Sequence, residues 1–89
     1  MKAFQLIIKG KVQGVWYRGS TKRKAEELGL NGFVMNRADG SVYAEVEGMD
    51  STINELIKWC KEGPPLAKVI SVEKEEIPIQ NFTKFEIRR

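Results

Sequence analysis

The feature that most constrains the fold of this chain is a change of hydrophobic period on either side of Gly10–Arg18. Before this stretch, residues 3–9 alternate between apolar and polar side chains, which is the period of a β-strand. Beyond it, over about residues 17–28, apolar and small residues recur at spacings of three and four, which is the period of a helix. The chain therefore begins with a strand and a helix that are joined by a short, glycine-containing turn.

The same two periods continue along the rest of the sequence. Strands are predicted over residues 33–37, 42–48, 68–76 and 85–87, and a second helix is capped by Asp50 or Ser51 and ends at Gly63-Pro64-Pro65. This order predicts an α+β protein with the ferredoxin-like βαββαβ sandwich fold and a short strand added at the end. In that fold an antiparallel sheet carries both helices on one face, and the loop after the first strand can lie near the start of the second strand at one edge of the sheet.

Length and composition narrow the class of protein further. Eighty-nine residues, of which 42% are hydrophobic, predict one small globular domain spanning residues 1–89. Cys60 is the only cysteine and histidine is absent, so we expect neither an internal disulfide nor a soft-metal site. No apolar run reaches the roughly 18–20 residues of a membrane-spanning helix. We therefore expect a cytoplasmic protein without a membrane partner.

The formal charge of +3 is mildly basic, and its distribution matters more than its size. Lys22, Arg23 and Lys24 form a short basic cluster, but Glu26 and Glu27 follow at once. This mixture is typical of a solvated helix face rather than of a nucleic-acid-binding patch. We therefore expect no nucleic-acid partner, and a net charge that helps to attract small anions.

The stretch Gly10–Arg18 has the composition of an anion-binding turn. Gly10 and Gly14 relieve the steric limits on the backbone, so that consecutive amide N–H groups can turn toward one point. The helix that begins just beyond adds unpaired N–H groups and the positive end of its dipole. Arg18 follows where its guanidinium group can close over the same point as a bidentate donor. Together these donors predict a site for a phosphate or a carboxylate.

Asn36 stands out in the second predicted strand, because asparagine is depleted in strand interiors. It could lie at the end of the strand and help to form the hairpin at Asp39-Gly40. Alternatively, its carboxamide could lie near Arg18, where it would accept a hydrogen bond from water and donate one to an anion. The residue types alone leave both interpretations open.

Both segments resemble the two signature motifs of the acylphosphatase family. The first, Gly-x-Val-Gln-Gly-Val-x-(Phe/Tyr)-Arg, is matched at every specified place from Gly10 to Arg18. The second, Gly-(aromatic)-Val-x-Asn-x-x-x-Gly-x-Val, is matched from Gly32 to Val42. Two long motifs in the expected order and spacing are a far more specific signal than a single glycine motif. The resemblance covers essentially the whole chain, because Gly63-Pro64-Pro65 and Phe85-Glu86-Ile87-Arg88 also resemble the family.

The resemblance implies a hydrolase that cleaves small-molecule acyl phosphates to a carboxylate and inorganic phosphate by direct attack of water. It assigns two catalytic residues, with Arg18 binding the phosphoryl group and Asn36 orienting the water. The phosphate cradle would consist of loop amides at Gln13, Gly14, Val15, Trp16, Tyr17 and Arg18. No metal or cofactor is expected, because amides and a guanidinium group can stabilise the charge of phosphoryl transfer. We further expect a monomer, with the Tyr17 hydroxyl at the mouth of the pocket.

Two alternatives remain open alongside this function. One is a non-catalytic anion- or RNA-binding ferredoxin-like module, because Gly32-Phe33-Val34 faintly resembles the aromatic strand of an RNA-recognition domain. The other is an acylphosphatase-like domain within a larger assembly, as in hydrogenase maturation proteins, although we expect a free-standing enzyme.

Several other residues could be mistaken for functional ones. Thr21 and Cys60 are expected to have packing roles, and Glu45 and Glu47 are expected to be solvated on one face of a strand. The sequence does not place four further basic side chains relative to the site, namely Lys11, Arg37, Arg88 and Arg89.

Overall fold

Two helices and five strands follow one another along the computed structural model, which describes residues 1–89. The strands are β1 (Lys2–Lys11), β2 (Asn31–Asn36), β3 (Val42–Gly48), β4 (Lys68–Ile77) and β5 (Phe85–Arg88). The helices are α1 (Tyr17–Glu27) and α2 (Asp50–Glu62). Every predicted element is present in the predicted order, which confirms the α+β ferredoxin-like fold. Neither helix is long and apolar enough to cross a membrane.

The sheet is mixed rather than wholly antiparallel, which corrects one part of the prediction. Its strands lie in the order β4-β1-β3-β2-β5. The pairs β1–β3, β1–β4 and β2–β3 are antiparallel, whereas β5 pairs with β2 in parallel, with Phe85 opposite Gly32. Since β4 and β5 lie at opposite edges, the residues between them cross one end of the sheet and β5 enters in the direction of β2. The alternation of apolar and polar side chains within a strand as short as β5 does not specify which strand it pairs with.

The connection to β5 is held by a buried carboxylate. Glu47 is 2% exposed, and its carboxylate accepts hydrogen bonds from the backbone N–H groups of Gln80, Asn81 and Phe82. The expectation that Glu47 is solvated is therefore wrong, because three amide donors satisfy a charge that would otherwise be costly to bury. This contact fixes the path by which the chain reaches β5.

One apolar layer lies between the sheet and the helices. Phe4, Leu6 and Ile8 of β1 face the helices, as the strand period predicts. The predicted packing roles of Thr21 and Cys60 are confirmed, since the Thr21 hydroxyl donates to the Tyr17 carbonyl at 2.7 Å and the Cys60 thiol is buried. The buried helix residues are Tyr17, Thr21 and Ala25 of α1 and Ile53, Leu56, Ile57 and Cys60 of α2.

Helix α2 ends at Gly63, as predicted, but its start and one further contact at its end differ from what the sequence pattern indicates. Its N-cap is Met49, in an extended conformation and without a side-chain hydrogen bond, so the prediction that Asp50 or Ser51 caps the helix is wrong. At the other end, the Tyr17 hydroxyl donates to the Cys60 carbonyl at 2.7 Å. The residue four positions beyond Cys60 is a proline, which has no N–H group to offer that carbonyl. Tyr17 therefore ties the start of α1 to the end of α2.

The sheet face opposite the helices has its aromatic positions filled by the chain itself. Phe33, the residue that suggested RNA binding, is only 6% exposed. The guanidinium carbon of Arg88 lies 3.9 Å from the centroid of its ring, and the ring of Phe82 meets it edge-on at 5.8 Å. The neighbouring Tyr43 hydroxyl lies within hydrogen-bond distance of Gln5 and Glu45. This face therefore lacks a free ring on which a base could stack.

Candidate active site

A β-bulge at Gly10 leads β1 into the loop that precedes α1. The register of β1 against β4 shifts between Lys9 and Gly10. Gly10 has a φ of +130°, and a Cβ at this position would lie 2.2 Å from the carbonyl oxygen of Lys68. Only glycine fits both this conformation and so close an approach of two backbones. The first glycine of the motif is thus explained by the geometry of the strand end.

Backbone angles of alternating sign shape the loop itself. Gly14 has a φ of 74° and Trp16 a φ of 65° with a ψ of 22°, whereas the φ of Val15 between them is not positive. Alternation of this kind turns successive N–H groups toward one side and forms a concave nest for an anion. The loop therefore has the backbone shape that the predicted phosphate cradle requires.

The first turn of α1 offers further free N–H groups beside the loop. The N–H group of Ser20 donates to the Trp16 carbonyl at 3.0 Å, but those of Tyr17, Arg18 and Gly19 have no acceptor within the chain. No side chain caps this end of the helix, and its first turn contains no acidic residue. By contrast, α2 has an aspartate in its first turn. The positive end of α1 is thus left open to an external anion.

Two of the predicted cradle residues direct their side chains away from the anion-binding side of the loop. The Gln13 side-chain amide donates to the backbone carbonyls of Arg37 at 2.7 Å and Ser41 at 2.9 Å, which ties the loop to the β2–β3 hairpin. The Val15 side chain is buried in the core. Any contact of these two residues with a ligand is therefore limited to the backbone.

The remaining predicted residues line a single cleft of about 420 Å³. The cleft brings together Arg18 from the first turn of α1 and Asn36 from the last position of β2, which lie 18 residues apart in the sequence. It is therefore the end of the second strand, and not its start as predicted, that lies beside the loop. Basic and apolar groups surround it, and no carboxylate side chain is among them. The lining residues are Val12, Gly14, Trp16, Tyr17, Arg18, Gly19, Asn36, Ile87 and Arg89.

Asn36 lines this cleft and carries a buried side-chain acceptor without a partner. It pairs with Val42 across the two strands and therefore shares the helix-facing side of the sheet. Its side-chain oxygen Oδ1 is buried and has no hydrogen-bond partner within the protein. A buried acceptor without a hydrogen bond lowers the stability of the fold, and a water molecule that donates to it removes this destabilisation. Of the two interpretations of Asn36, the structure thus supports both the strand-end position and the proximity to Arg18.

The four basic residues that the sequence left unplaced divide between the cleft and other surfaces. Arg89 lines the cleft. Arg37 lies over the ring of Tyr43, and Arg88 covers an aromatic ring on the outer sheet face, so neither lines the cleft. Lys11 is exposed at the end of β1 and does not line it either.

Sequence reasoning missed three further cleft residues, namely Val12, Gly19 and Ile87. Ile87 pairs with Val34 in parallel register, so it faces the same side of the sheet as Asn36. The alternation of the last strand could have placed Ile87 on the helix-facing side, but only the parallel pairing brings it to the cleft.

The Tyr17 hydroxyl lies in the core and not at the mouth of the pocket, which corrects the expectation from the sequence. Tyr17 is 1% exposed, and its hydroxyl donates to the Cys60 carbonyl. Burial is also the main reason that the pKa of Tyr17 is raised and that the pKa of the Cys60 thiol is raised to about 12. Both groups are therefore protonated at neutral pH, and neither is available as an anionic nucleophile.

Fold and cleft together define the class of protein. It is a ferredoxin-like domain in which a helix N-terminus, a nest of amides and a guanidinium group meet at one cleft, and these are the groups that bind anions in proteins. No cluster of three or more His, Cys, Asp and Glu side chains is placed to hold a metal ion.

Comparison with known proteins gives this class a family. The family model for acylphosphatase matches residues 4–87. The acylphosphatase of Methylococcus capsulatus is 44% identical over 90 residues, which cover 100% of this chain and 98% of that protein. The structure of an acylphosphatase from Coxiella burnetii is similar with a TM-score of 0.95 at 40% identity, covering 98% of this chain and 92% of that chain. Acylphosphatase from Bacillus subtilis gives a TM-score of 0.97 at 30% identity, with 100% of both chains covered.

The chain belongs to the acylphosphatase family, and it is an acyl phosphate hydrolase. The family that the two motifs predicted is thus confirmed. None of these comparisons favours a non-catalytic module of the same fold.

Proposed function

We propose that the chain hydrolyses acyl phosphates by direct attack of water on a phosphoryl group held by Arg18 and the loop amides. The observation that carries this proposal is the convergence of three kinds of group at one cleft. These are N–H groups without acceptors, the guanidinium group of Arg18 and the unpartnered amide oxygen of Asn36. The first two match the oxygens of a phosphoryl group, and the third matches a water molecule.

Substrate binding depends on the phosphoryl oxygens. The free N–H groups at Tyr17–Gly19 and the nest at residues 14–16 surround one side of the group. Arg18 adds two parallel N–H donors and a full positive charge. Since the backbone fixes these donors, little reorganisation is needed when charge builds up in the transition state.

Attack is directed by Asn36. Its Oδ1 accepts a hydrogen bond from the water and so turns an oxygen lone pair toward phosphorus. A bond forms between the water oxygen and phosphorus while the bond from phosphorus to the acyl oxygen breaks. The carboxylate leaves with the electron pair, and the proton of the water passes to a phosphoryl oxygen or to solvent. No strong general acid is needed, because a carboxylate is a good leaving group.

We propose that this reaction needs neither a metal ion nor a cofactor. The positive charge that metal ions supply to transferred phosphoryl groups in kinases and GTPases is supplied here by the guanidinium group and the helix N-terminus. We therefore expect hydrolysis of acetyl phosphate to proceed at an unchanged rate in the presence of EDTA. Loss of the rate in EDTA, with recovery on addition of a divalent cation, would contradict this part of the mechanism.

Replacing Arg18 tests the phosphate site. Arg18→Gln is expected to lower kcat/KM for acetyl phosphate by about 10²- to 10⁴-fold, because the bidentate donors and the charge are lost together. Release of inorganic phosphate measures the rate, and circular dichroism confirms that the variant is folded. Arg23→Gln is the matched control, since Arg23 is exposed on the same helix outside the cleft. Equal rates in the two variants would place the active site elsewhere.

Hydrolysis in ¹⁸O-labelled water identifies the atom that is attacked. Direct attack on phosphorus places the label in inorganic phosphate and leaves the carboxylate unlabelled. Label in the carboxylate would show attack at the acyl carbon and would remove the role proposed for the Asn36 water.

We further propose that residues 1–89 act as one cytoplasmic, monomeric domain without a nucleic-acid partner. The family match over residues 4–87 supports a single domain, and the free thiol of Cys60 is compatible with a reducing compartment. The filled aromatic positions on the outer sheet face support the absence of RNA binding. Light scattering in solution tests the monomer, and a mass of twice 10.1 kDa would contradict it.

A further inference from the structure

Trp16 combines a strained backbone with an unburied side chain. Its φ of 65° and ψ of 22° lie in the left-handed region, which large residues rarely adopt. Its side chain is 81% exposed, and it is the only aromatic side chain in the chain that is largely open to solvent. Because the indole is not packed in the core, its burial does not offset the strain. Strain of this kind at the edge of a cleft points to a role in function.

The indole lies beside the phosphate site. Trp16 lines the same cleft as Arg18 and Asn36. A Cβ built on Gly19 would lie 3.9 Å from atom Cε3 of the indole, so the ring lies along the first turn of α1. The left-handed conformation of Trp16 helps to form the nest of amides. The same conformation fixes the direction in which the indole leaves the backbone. Loop shape and ring position are therefore coupled.

The apolar surface at the mouth of the cleft comes mainly from this one ring. Val12 and Tyr17 also line the cleft, but both are only 1% exposed and lie deep within it. Ile87 is partly buried, whereas the indole of Trp16 is open to solvent. A group that extends from a bound phosphoryl group toward solvent thus has the indole as its principal apolar contact.

We propose that Trp16 determines acyl-group specificity by offering its indole face to aromatic and large apolar acyl groups. The inference rests on the proposed function, because it requires the phosphoryl group at Arg18 and the loop amides. An aromatic acyl group would stack on the ring, whereas an acetyl group is too short to cover it. We therefore infer that the enzyme prefers aryl over acetyl phosphates through this contact.

Comparing benzoyl phosphate with acetyl phosphate measures the contact. Glycine at position 16 tolerates the left-handed backbone. In Trp16→Gly, kcat/KM for benzoyl phosphate is therefore expected to fall about three- to tenfold more than kcat/KM for acetyl phosphate. Trp16→Asn, also compatible with this conformation, is expected to behave in the same way. Trp16→Phe keeps an aromatic face and is expected to retain most of the preference. Equal losses for the two substrates in Trp16→Gly and Trp16→Asn would overturn the proposal.

Fluorescence gives a readout that does not depend on turnover. The chain has two tryptophans, so in Trp59→Phe the emission comes from Trp16 alone. The non-hydrolysable benzoylphosphonate is expected to change this emission more than inorganic phosphate does at equal occupancy. Equal changes with the two ligands would overturn the stacking contact. A failure of the proposed function would give a different result from a failure of the stacking contact. In that case Arg18→Gln would bind benzoylphosphonate and inorganic phosphate as tightly as the unsubstituted protein does.

Discussion

At the scale of single residues, the unpartnered oxygen of Asn36 is the feature that most sharply separates this cleft from an ordinary anion site. An anion site needs only donors, and Arg18 and the free N–H groups supply them. Asn36 also lines this cleft, and its buried side-chain oxygen is an acceptor that would repel an anion, so we propose that it holds the attacking water instead. On this proposal the site contains residues that bind the phosphoryl group and one residue, Asn36, that directs the water.

Gly14 allows the backbone role of the loop to be tested separately. A Cβ at Gly14 would meet no atom within 4 Å, so the cost of Gly14→Ala comes from its φ of 74° rather than from a clash. We expect a loss of about 1 kcal/mol in the free energy of unfolding, measured with urea, and weaker inhibition by inorganic phosphate. Gly29→Ala is the matched control, because Gly29 has a φ of 71° and equally open surroundings but lies outside the cleft. Equal loss of phosphate affinity in both variants would contradict the nest.

The sequence predicted some of these residues and not others, for physical reasons. Arg18 stood out because it follows a glycine-containing turn at a helix N-terminus, and Asn36 because asparagine is depleted in strand interiors, but the resemblance to the family was needed to favour a catalytic role for Asn36. The strain at Trp16 could not be predicted, since a left-handed tryptophan is rare. The burial of Glu47 was also missed, because its three amide donors come from a segment more than 30 residues away in the sequence.

At the scale of secondary structure, the hydrophobic periods located every strand and helix, but they did not specify how the last strand joins the sheet. The parallel pairing of β5 with β2 depends on a connection that crosses the sheet, and a period of two does not encode it. This pairing brings Ile87 and Arg89 to the cleft. The part of the site contributed by β5 was therefore beyond the reach of the sequence pattern.

The contact of Tyr17 with the end of α2 is expected to stabilise the whole helix pair. Tyr17→Phe removes the only donor that reaches the Cys60 carbonyl, so we expect the free energy of unfolding to fall by about 1–2 kcal/mol. Urea denaturation provides the measurement. Tyr43→Phe is the comparison, because the Tyr43 hydroxyl lies on the partly exposed outer face and its loss is expected to cost less. A larger loss in Tyr43→Phe would contradict the capping role of Tyr17.

At the scale of the whole molecule, the buried Cys60 thiol links stability to pH. Burial raises its pKa to about 12, so the folded state holds this proton more tightly than the unfolded state, in which the thiol has a pKa of about 8.5. Tyr17, whose pKa burial also raises, acts in the same direction at higher pH. The free energy of unfolding should therefore decline as the pH rises above about 9, since the unfolded chain releases protons first.

Cys60→Ala separates this effect from the general influence of high pH. Urea midpoints measured from pH 7 to pH 11 are expected to decline less steeply in Cys60→Ala than in the unsubstituted chain, although the variant is less stable at pH 7 because it leaves a small cavity. Parallel curves for the two proteins would show that the Cys60 thiol makes no contribution in this range.

The central claim is that Arg18 binds the phosphoryl group and Asn36 positions the attacking water. It is tested most directly by measuring two quantities in the same variants, the inhibition constant of inorganic phosphate and kcat for acetyl phosphate. Asn36→Ala is expected to lower kcat about 10²-fold or more while the inhibition constant changes less than threefold, because only the position of the water is lost. Arg18→Gln is expected to weaken phosphate inhibition strongly, and Asn54→Ala, at an exposed position of α2, is expected to change neither quantity. An Asn36→Ala variant with unchanged kcat, or one that loses phosphate affinity as fully as Arg18→Gln, would contradict the account.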